Sequence, residues 1–170
     1  MACCPSRFRS SSSWLRPSWV IAVVLPVPAA PVMIRPRRAL MACRVWLRDF
    51  LKTEVAALLK PALSAAQRPV RLVGTGGTAT ILARVQGKLN DFDREKIEAT
   101  ALTVENIRQM VESQWQMTLG ERQNIPGLPA DRADVILTGM AIYEGIMEQF
   151  GFKDMAVSTR GLRYWALLHP

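Results

Sequence analysis

The sequence predicts an α/β fold, two short strands among about five helices, and three observations carry that prediction. An apolar strand at 70–74 runs into a glycine-rich turn that opens a helix. Apolar residues recur at helical spacing in the stretches around 46–59, 104–115 and 133–147. A second short apolar stretch, 154–158, follows the last of these.

Taken in order, Trp46, Leu47, Phe50, Leu51, Val55, Leu58 and Leu59 lie on a helical repeat, and Pro61 marks its expected stop. Strand 70–74 leads into helix 78–87, which ends near Gly87. Asn90-Asp91-Phe92-Asp93 is a turn, and Glu95 to Ala101 reads as a polar connection. Thr103 can cap a helix in which Val104, Ile107, Val111 and Trp115 form one apolar stripe. Gly120 and Pro126-Gly127-Leu128-Pro129 form the next connection. A long helix over about 130–150 carries Ala133, Ile136, Leu137, Met140, Tyr143 and Met147, and Gly151 closes it. Asp154 to Ser158 is the second strand, Arg160-Gly161 turns the chain, and Leu162 to Leu168 is a final helix. Two strands alone rarely make a stable sheet. Both are apolar at most positions, so the chain is expected to fold poorly or to self-associate through exposed edges.

At 170 residues the chain can bury one core. Its charge of +8 is unevenly placed: residues 1–45 hold seven arginines (Arg7, Arg9, Arg16, Arg35, Arg37, Arg38, Arg44) and no acid, leaving 15 basic against 14 acidic residues beyond. The part from 46 onward is near neutral, which argues against a basic nucleic-acid-binding face. Cys3, Cys4 and Cys43 all lie in the N-terminal segment at no metal-ligand spacing, and His169 is next to the C-terminus. Neither a zinc site nor a catalytic histidine is expected. Within 1–45, the arginines, the run Trp19 to Leu25 and Ala29-Ala30 resemble a secretory signal, but Pro26, Pro28 and Pro31 end the run well short of the about 20 apolar residues a membrane span needs. A disordered extension or wrong-frame translation, rich in Arg, Pro, Ser and Ala, accounts for the same composition and is preferred. The expected division is therefore 1–45, an extension, and 46–170, the folded part.

The turn Gly74-Thr75-Gly76-Gly77-Thr78-Ala79-Thr80 carries the chemistry. Glycines let the backbone take positive φ and approach a ligand closely. The free N–H groups of the next helix then favour an anion over the turn. No lysine follows the glycines, so this is not a P-loop. Gly74-x-Gly76-x-x-Ala79, with Asp91 or Asp93 downstream, satisfies a dinucleotide fingerprint on paper, but the parallel strand that should end in the acid is missing. A bare strand-to-helix turn without ligand is the remaining alternative.

Three segments occur in order: Leu72 to Thr80, Gly120-Glu-Arg122 through Pro126-Gly-Leu128 to Arg132-Ala-Asp134-Val-Ile-Leu137, and Val157-Ser-Thr-Arg-Gly-Leu-Arg163. Together they closely resemble the exopolyphosphatase/guanosine pentaphosphate phosphohydrolase (Ppx/GppA) family over about residues 46–168. The resemblance implies an actin/hexokinase/Hsp70-like fold, two ribonuclease-H-like lobes with phosphates in the cleft between them. This chain would supply an incomplete lobe, the C-terminal part of the second. Gly74, Gly76, Gly77, Thr78 and Thr80 match the family's phosphate-binding glycine turn. Arg132 and Asp134 match its Arg-Ala-Asp helix start, as polyanion contacts or as a helix-terminus ion pair. Arg163 is read as structural, and Tyr164-Trp165 replaces a more usual Glu-Gly.

The family's Asp-x-Gly-Ser-type turn, its Asp-x-Gly-Gly-Gly-Ser turn and the acid that activates water have no counterpart in these residues. The resemblance therefore implies a remnant of a phosphoanhydride hydrolase that keeps the phosphate cradle, with no catalytic residues and no metal ligands of its own. Mg²⁺ belongs to the complete enzyme. A non-catalytic module binding polyphosphate or a phosphorylated guanosine nucleotide is the alternative, and a dinucleotide oxidoreductase fragment the third. A cytoplasmic location, no membrane or nucleic-acid partner, and homodimers of complete members complete the expectation.

Overall fold

The protein is described here from a computed structural model, which defines residues 36–161. The signal-like run, the expected final helix with Arg163, Tyr164 and Trp165, and His169 lie outside the described residues.

The first helix, α1 (Pro36–Phe50), begins ten residues before the boundary that composition suggests, because Leu40, Arg44 and Leu47 already form one face. A π-helical turn, Leu51–Val55, follows. Thr53 donates its hydroxyl to the Asp49 carbonyl at 2.9 Å, the back-bond that loosens a helix at such points. The extra residue rotates the following turn, so the apolar repeat read from the sequence is not all core. Leu47, Leu51 and Leu59 are buried, whereas Leu58 is 80% exposed and Trp46 stacks on Phe50, centroids 5.4 Å apart, at the surface. The next helix, α2 (Ala56–Ser64), runs through Pro61 instead of stopping there. Proline gives up its own N–H bond and crowds the preceding turn, but its carbonyl still accepts from Ala65 at 3.0 Å and the helix continues past it.

Then come β1 (Leu72–Thr75), α3 (Gly77–Gln86) and α4 (Arg94–Ala99). The last forms in the stretch expected to be a polar connection: Asp93 caps it, accepting from the Lys96 N–H at 3.2 Å, and Ile97 is buried. β2 (Leu102–Thr103) and α5 (Val104–Gln116) are joined without a loop, Thr103 serving both as strand and as the expected cap, in a box with Asn106. α6 (Leu119–Gln123) carries a second box between Thr118 and Glu121. The long helix expected over 130–150 is divided into a 3₁₀ turn, Ala130–Arg132, and α7 (Ile136–Phe150). Gly151 closes α7 in the left-handed conformation, φ 74°. β3 (Asp154–Ser158) ends the described fold.

The sheet has three strands, one more than expected, in the order β1-β3-β2. β1 runs parallel to β3, Leu72 opposite Met155 and Thr75 opposite Ser158, and β2 runs antiparallel to it, Leu102 opposite Met155. α3 packs closely on the sheet at Gly74: a Cβ there would lie 2.8 Å from the Met155 sulfur and 2.9 Å from the Ala79 Cβ. The core joins Ala79, Leu82 and Ala83 of α3 to Ile107 and Val111 of α5, Met140 and Met147 of α7, and Met155. α5 and α7 share the largest helix contact, and α1 lies across both.

Candidate functional site

β1 ends at Thr75 and Gly76 takes φ +87°, which turns the chain directly into α3. Gly76 is the N-cap and offers no side-chain acceptor, so the first N–H groups of α3 lack the usual protein partner. A Cβ on Gly76 or Gly77 would meet nothing within 4 Å, so the space beside the turn is open. That space is a groove of about 720 Å³.

Its floor is Gly76, Gly77, Thr80 and Ile81. Phe92 comes from the loop before α4 and Arg94 from its first residue, Pro129 from the cap of the 3₁₀ turn and Asp131 and Arg132 from the turn itself, and Thr159, Arg160 and Gly161 from the chain leaving β3. Three arginines thus line the same groove as the N-terminus of α3, with a single carboxylate, Asp131, among the described lining residues; it pairs with Arg132 at 3.7 Å. The C-terminal wall is anchored from below: Glu98 accepts from the Thr159 N–H at 2.9 Å and its hydroxyl at 2.6 Å. Those two bonds hold the Glu98 carboxyl below the ordinary glutamate range, so it stays ionised. Buried Arg122 holds the other wall. Its Nε donates to the Ala133 carbonyl at 2.8 Å and its Nη1 to that of Met117 at 2.7 Å.

Of the residues singled out from the sequence, Gly76, Gly77, Thr80 and Arg132 line the groove. Gly74 instead sits under α3 against Met155, and Thr78 turns away to pack against Gly139 of α7. Asp134 does not pair with Arg132; it is exposed and accepts from the Val135 N–H at 2.9 Å, at the approach to α7. Sequence reasoning did not find Arg94, Arg160, Thr159 or Phe92 as groove residues. The local signal was the third ordered segment, which contains both Thr159 and Arg160.

As a dinucleotide site the turn is incomplete: Asp93 caps a helix, and no strand lies between α3 and α4. Nor does the donor set fit a resident Mg²⁺. The groove contributes one carboxylate, already paired with an arginine, and among the described residues no cluster of three metal-binding side chains occurs. No helix among the described residues is long and apolar enough to cross a membrane.

The sequence pattern of the Ppx/GppA phosphatase family matches residues 39–168. Exopolyphosphatase 1 of Mycobacterium tuberculosis is 30% identical over 122 residues, 72% of this chain and 35% of that protein. A bifunctional 3-dehydroquinate synthase/phosphatase of Fusobacterium nucleatum is 35% identical over 97 residues, 57% of this chain and 14% of that one. A solved structure of the Aquifex aeolicus PPX-GPPA enzyme superposes with a TM-score of 0.64 at 26% identity, covering 81% of this chain and 43% of that one. The chain spans about a third of the length of the exopolyphosphatases it matches. The structural matches bear out the α/β, partial actin-like lobe expected from the sequence. Family pattern and fold agree, and the chain belongs to the Ppx/GppA phosphatase family.

Proposed function

We propose that this chain binds the phosphate groups of polyphosphate or of a phosphorylated guanosine nucleotide in the groove beside Gly76 and Gly77, and does not hydrolyse them by itself. The observation that carries this reading is that Arg94, Arg132 and Arg160 line the same groove as the N-terminus of α3. Backbone N–H groups and the helix dipole favour an anion at that point, and guanidinium groups grip phosphate in a planar fork. Gly77, Gly76 and Thr80 supply donors on the floor, and Arg132 can exchange its partner Asp131 for a phosphate oxygen. Gly74 and Thr78 serve the same site from behind, by setting the turn.

Phosphoryl transfer needs a positioned nucleophile and neutralised charge. Among the described residues the groove offers charge neutralisation but no unpaired carboxylate to activate water, so the chain is read as the cradle share of a phosphoanhydride hydrolase. Mg²⁺, homodimer formation and a cytoplasmic location are proposed for the complete family enzyme. One observation favours the nucleotide as a second ligand. The Phe92 ring, 60% exposed beside Arg94, offers a face on which a base can stack.

Calorimetry with tripolyphosphate tests the reading. Arg132→Ala and Gly77→Val are each expected to weaken binding about tenfold or more, the cost of one charge-assisted hydrogen bond. Gly77→Val places bulk in open space, so it blocks the groove without disturbing the core. No binding by the unaltered chain, or equal binding by all three, would refute the reading. Family-like phosphate release by the 170-residue chain would refute its non-catalytic part.

A further inference from the structure

Residue 139, inside the fifteen-residue helix α7, is a glycine, although alanine is the better helix former there. Its backbone does not require glycine, since φ lies outside the positive region. Thr78 requires it. A Cβ on Gly139 would lie 2.6 Å from Thr78 Cγ2 and 3.1 Å from its Oγ1. One turn further along the same face, the Tyr143 hydroxyl donates to the Thr75 carbonyl at 3.5 Å. Thr75 and Thr78 flank the two glycines that floor the groove, so α7 touches the turn on both sides of them. The other interior glycine of α7 is different: a Cβ on Gly145 meets only Leu51 Cδ1 at 3.4 Å and Leu47 Cβ at 3.8 Å, ordinary contact.

We infer that Gly139 is a positioning residue for the glycine turn: α7 receives Thr78 in the notch that Gly139 leaves and so sets the direction in which Gly76 and Gly77 face the groove. This rests on the reading of the groove as a phosphate site. The methyl of Thr78 occupies the notch that Gly139 leaves, and that notch fixes where α3 begins. Adding a methyl at 139 pushes Thr78, and with it the first turn of α3, toward the groove. Removing the methyl of Thr78 makes room for one at 139, so the two positions are coupled through a single volume.

The test uses the full chain, with tripolyphosphate calorimetry and amide hydrogen exchange at Thr80, whose N–H donates to the Gly76 carbonyl at 3.1 Å. Gly139→Ala is expected to weaken binding about tenfold and to quicken exchange at Thr80, with the melting temperature nearly unchanged because the better helix former offsets the overlap. Gly145→Ala should leave both readouts as they are. Thr78→Ser in the Gly139→Ala background should restore both, which a general loss of stability would not allow. Unchanged Thr80 exchange in Gly139→Ala, or no recovery in the double variant, overturns the inference. If Gly139→Ala does not fold, Thr78→Ser alone empties the notch and should quicken Thr80 exchange, and unchanged exchange there overturns the inference as well. If the unaltered chain does not bind tripolyphosphate, the phosphate reading of the groove fails, while Thr80 exchange still decides whether α7 positions the turn.

Discussion

Arg44 of α1 holds both carboxylate oxygens of Glu144 in α7: Nε donates to Oε2 at 2.9 Å and Nη2 to Oε1 at 2.6 Å. Glu144 is 1% exposed, and Arg44 also reaches Glu112 of α5 at 3.4 Å, so one guanidinium ties three helices. The carboxylate holds the Arg44 pKa above its ordinary value. Arg44→Met leaves the Glu144 charge buried and alone, a change that costs about 3–5 kcal/mol. Urea unfolding should show that loss, and Arg44→Met/Glu144→Leu should recover most of it. A single variant as stable as the parent would show that water reaches Glu144.

Arg122 makes the second demand on a guanidinium. Its Nε and Nη1 donate to carbonyls of Ala133 and Met117 in different directions, which an ammonium on a straight stem cannot reproduce. Arg122→Lys is expected to lose about 2 kcal/mol. It should also open the chain near Arg132 to protease before the rest of the fold. Cleavage that starts elsewhere would mean that the 3₁₀ turn is held by other contacts.

Pro126-Gly127 forms a tight turn closed by the Leu128 N–H on the Ile125 carbonyl at 3.1 Å, with Gly127 at φ +87°. A Cβ at 127 would also lie 2.5 Å from the Arg84 carbonyl oxygen. Gly127→Ala therefore combines backbone strain with overlap against backbone, and a loss of about 3 kcal/mol is expected in thermal unfolding. Gly120→Ala, where a Cβ meets nothing within 4 Å, is the control and should be neutral or better.

Acid should release the C-terminal wall of the groove. The folded pKa of Glu98 is lowered, first by the Thr159 hydroxyl and then by its N–H. A lowered folded value means that the unfolded state binds the proton more readily. The anchor therefore contributes fully above the unfolded value of about 4.3 and is lost as pH falls through the depressed one. The protection of the Thr159 amide, its exchange corrected for the intrinsic pH dependence of the reaction, should fall over that range. In Glu98→Gln that protection should be the same at neutral and acid pH. A parallel acid response in the variant would assign the transition to another group.

Local signals made the floor of this site legible and tertiary structure hid most of the walls. Gly76, Gly77 and Thr80 stood out because strand, turn and helix are contiguous, and their chemistry is written in adjacent letters. Arg94 and Arg160 did not, because only the fold brings the start of α4 and the chain after β3 to the same groove. α4 itself was missed because just one buried residue, Ile97, interrupts its polar run. β2 was missed because a strand of two residues has no period to read. The two-fold role of Thr103, strand end and cap, is invisible until its partner strand is known.

The strand order carries a consequence for how the molecule comes into being. β1 and β2 never touch each other; each makes its ladder only with β3, the last of the three along the chain. While residues 154–158 are still unsynthesised, no hydrogen bond of the sheet can exist, and Leu72 must wait about eighty residues for Met155. A nascent chain can form its helices early, but the turn at Gly76 has no β ladder behind it until β3 slides between the two waiting strands. Chaperone engagement during translation, followed by ribosome profiling of bound nascent chains, should therefore persist until β3 has emerged.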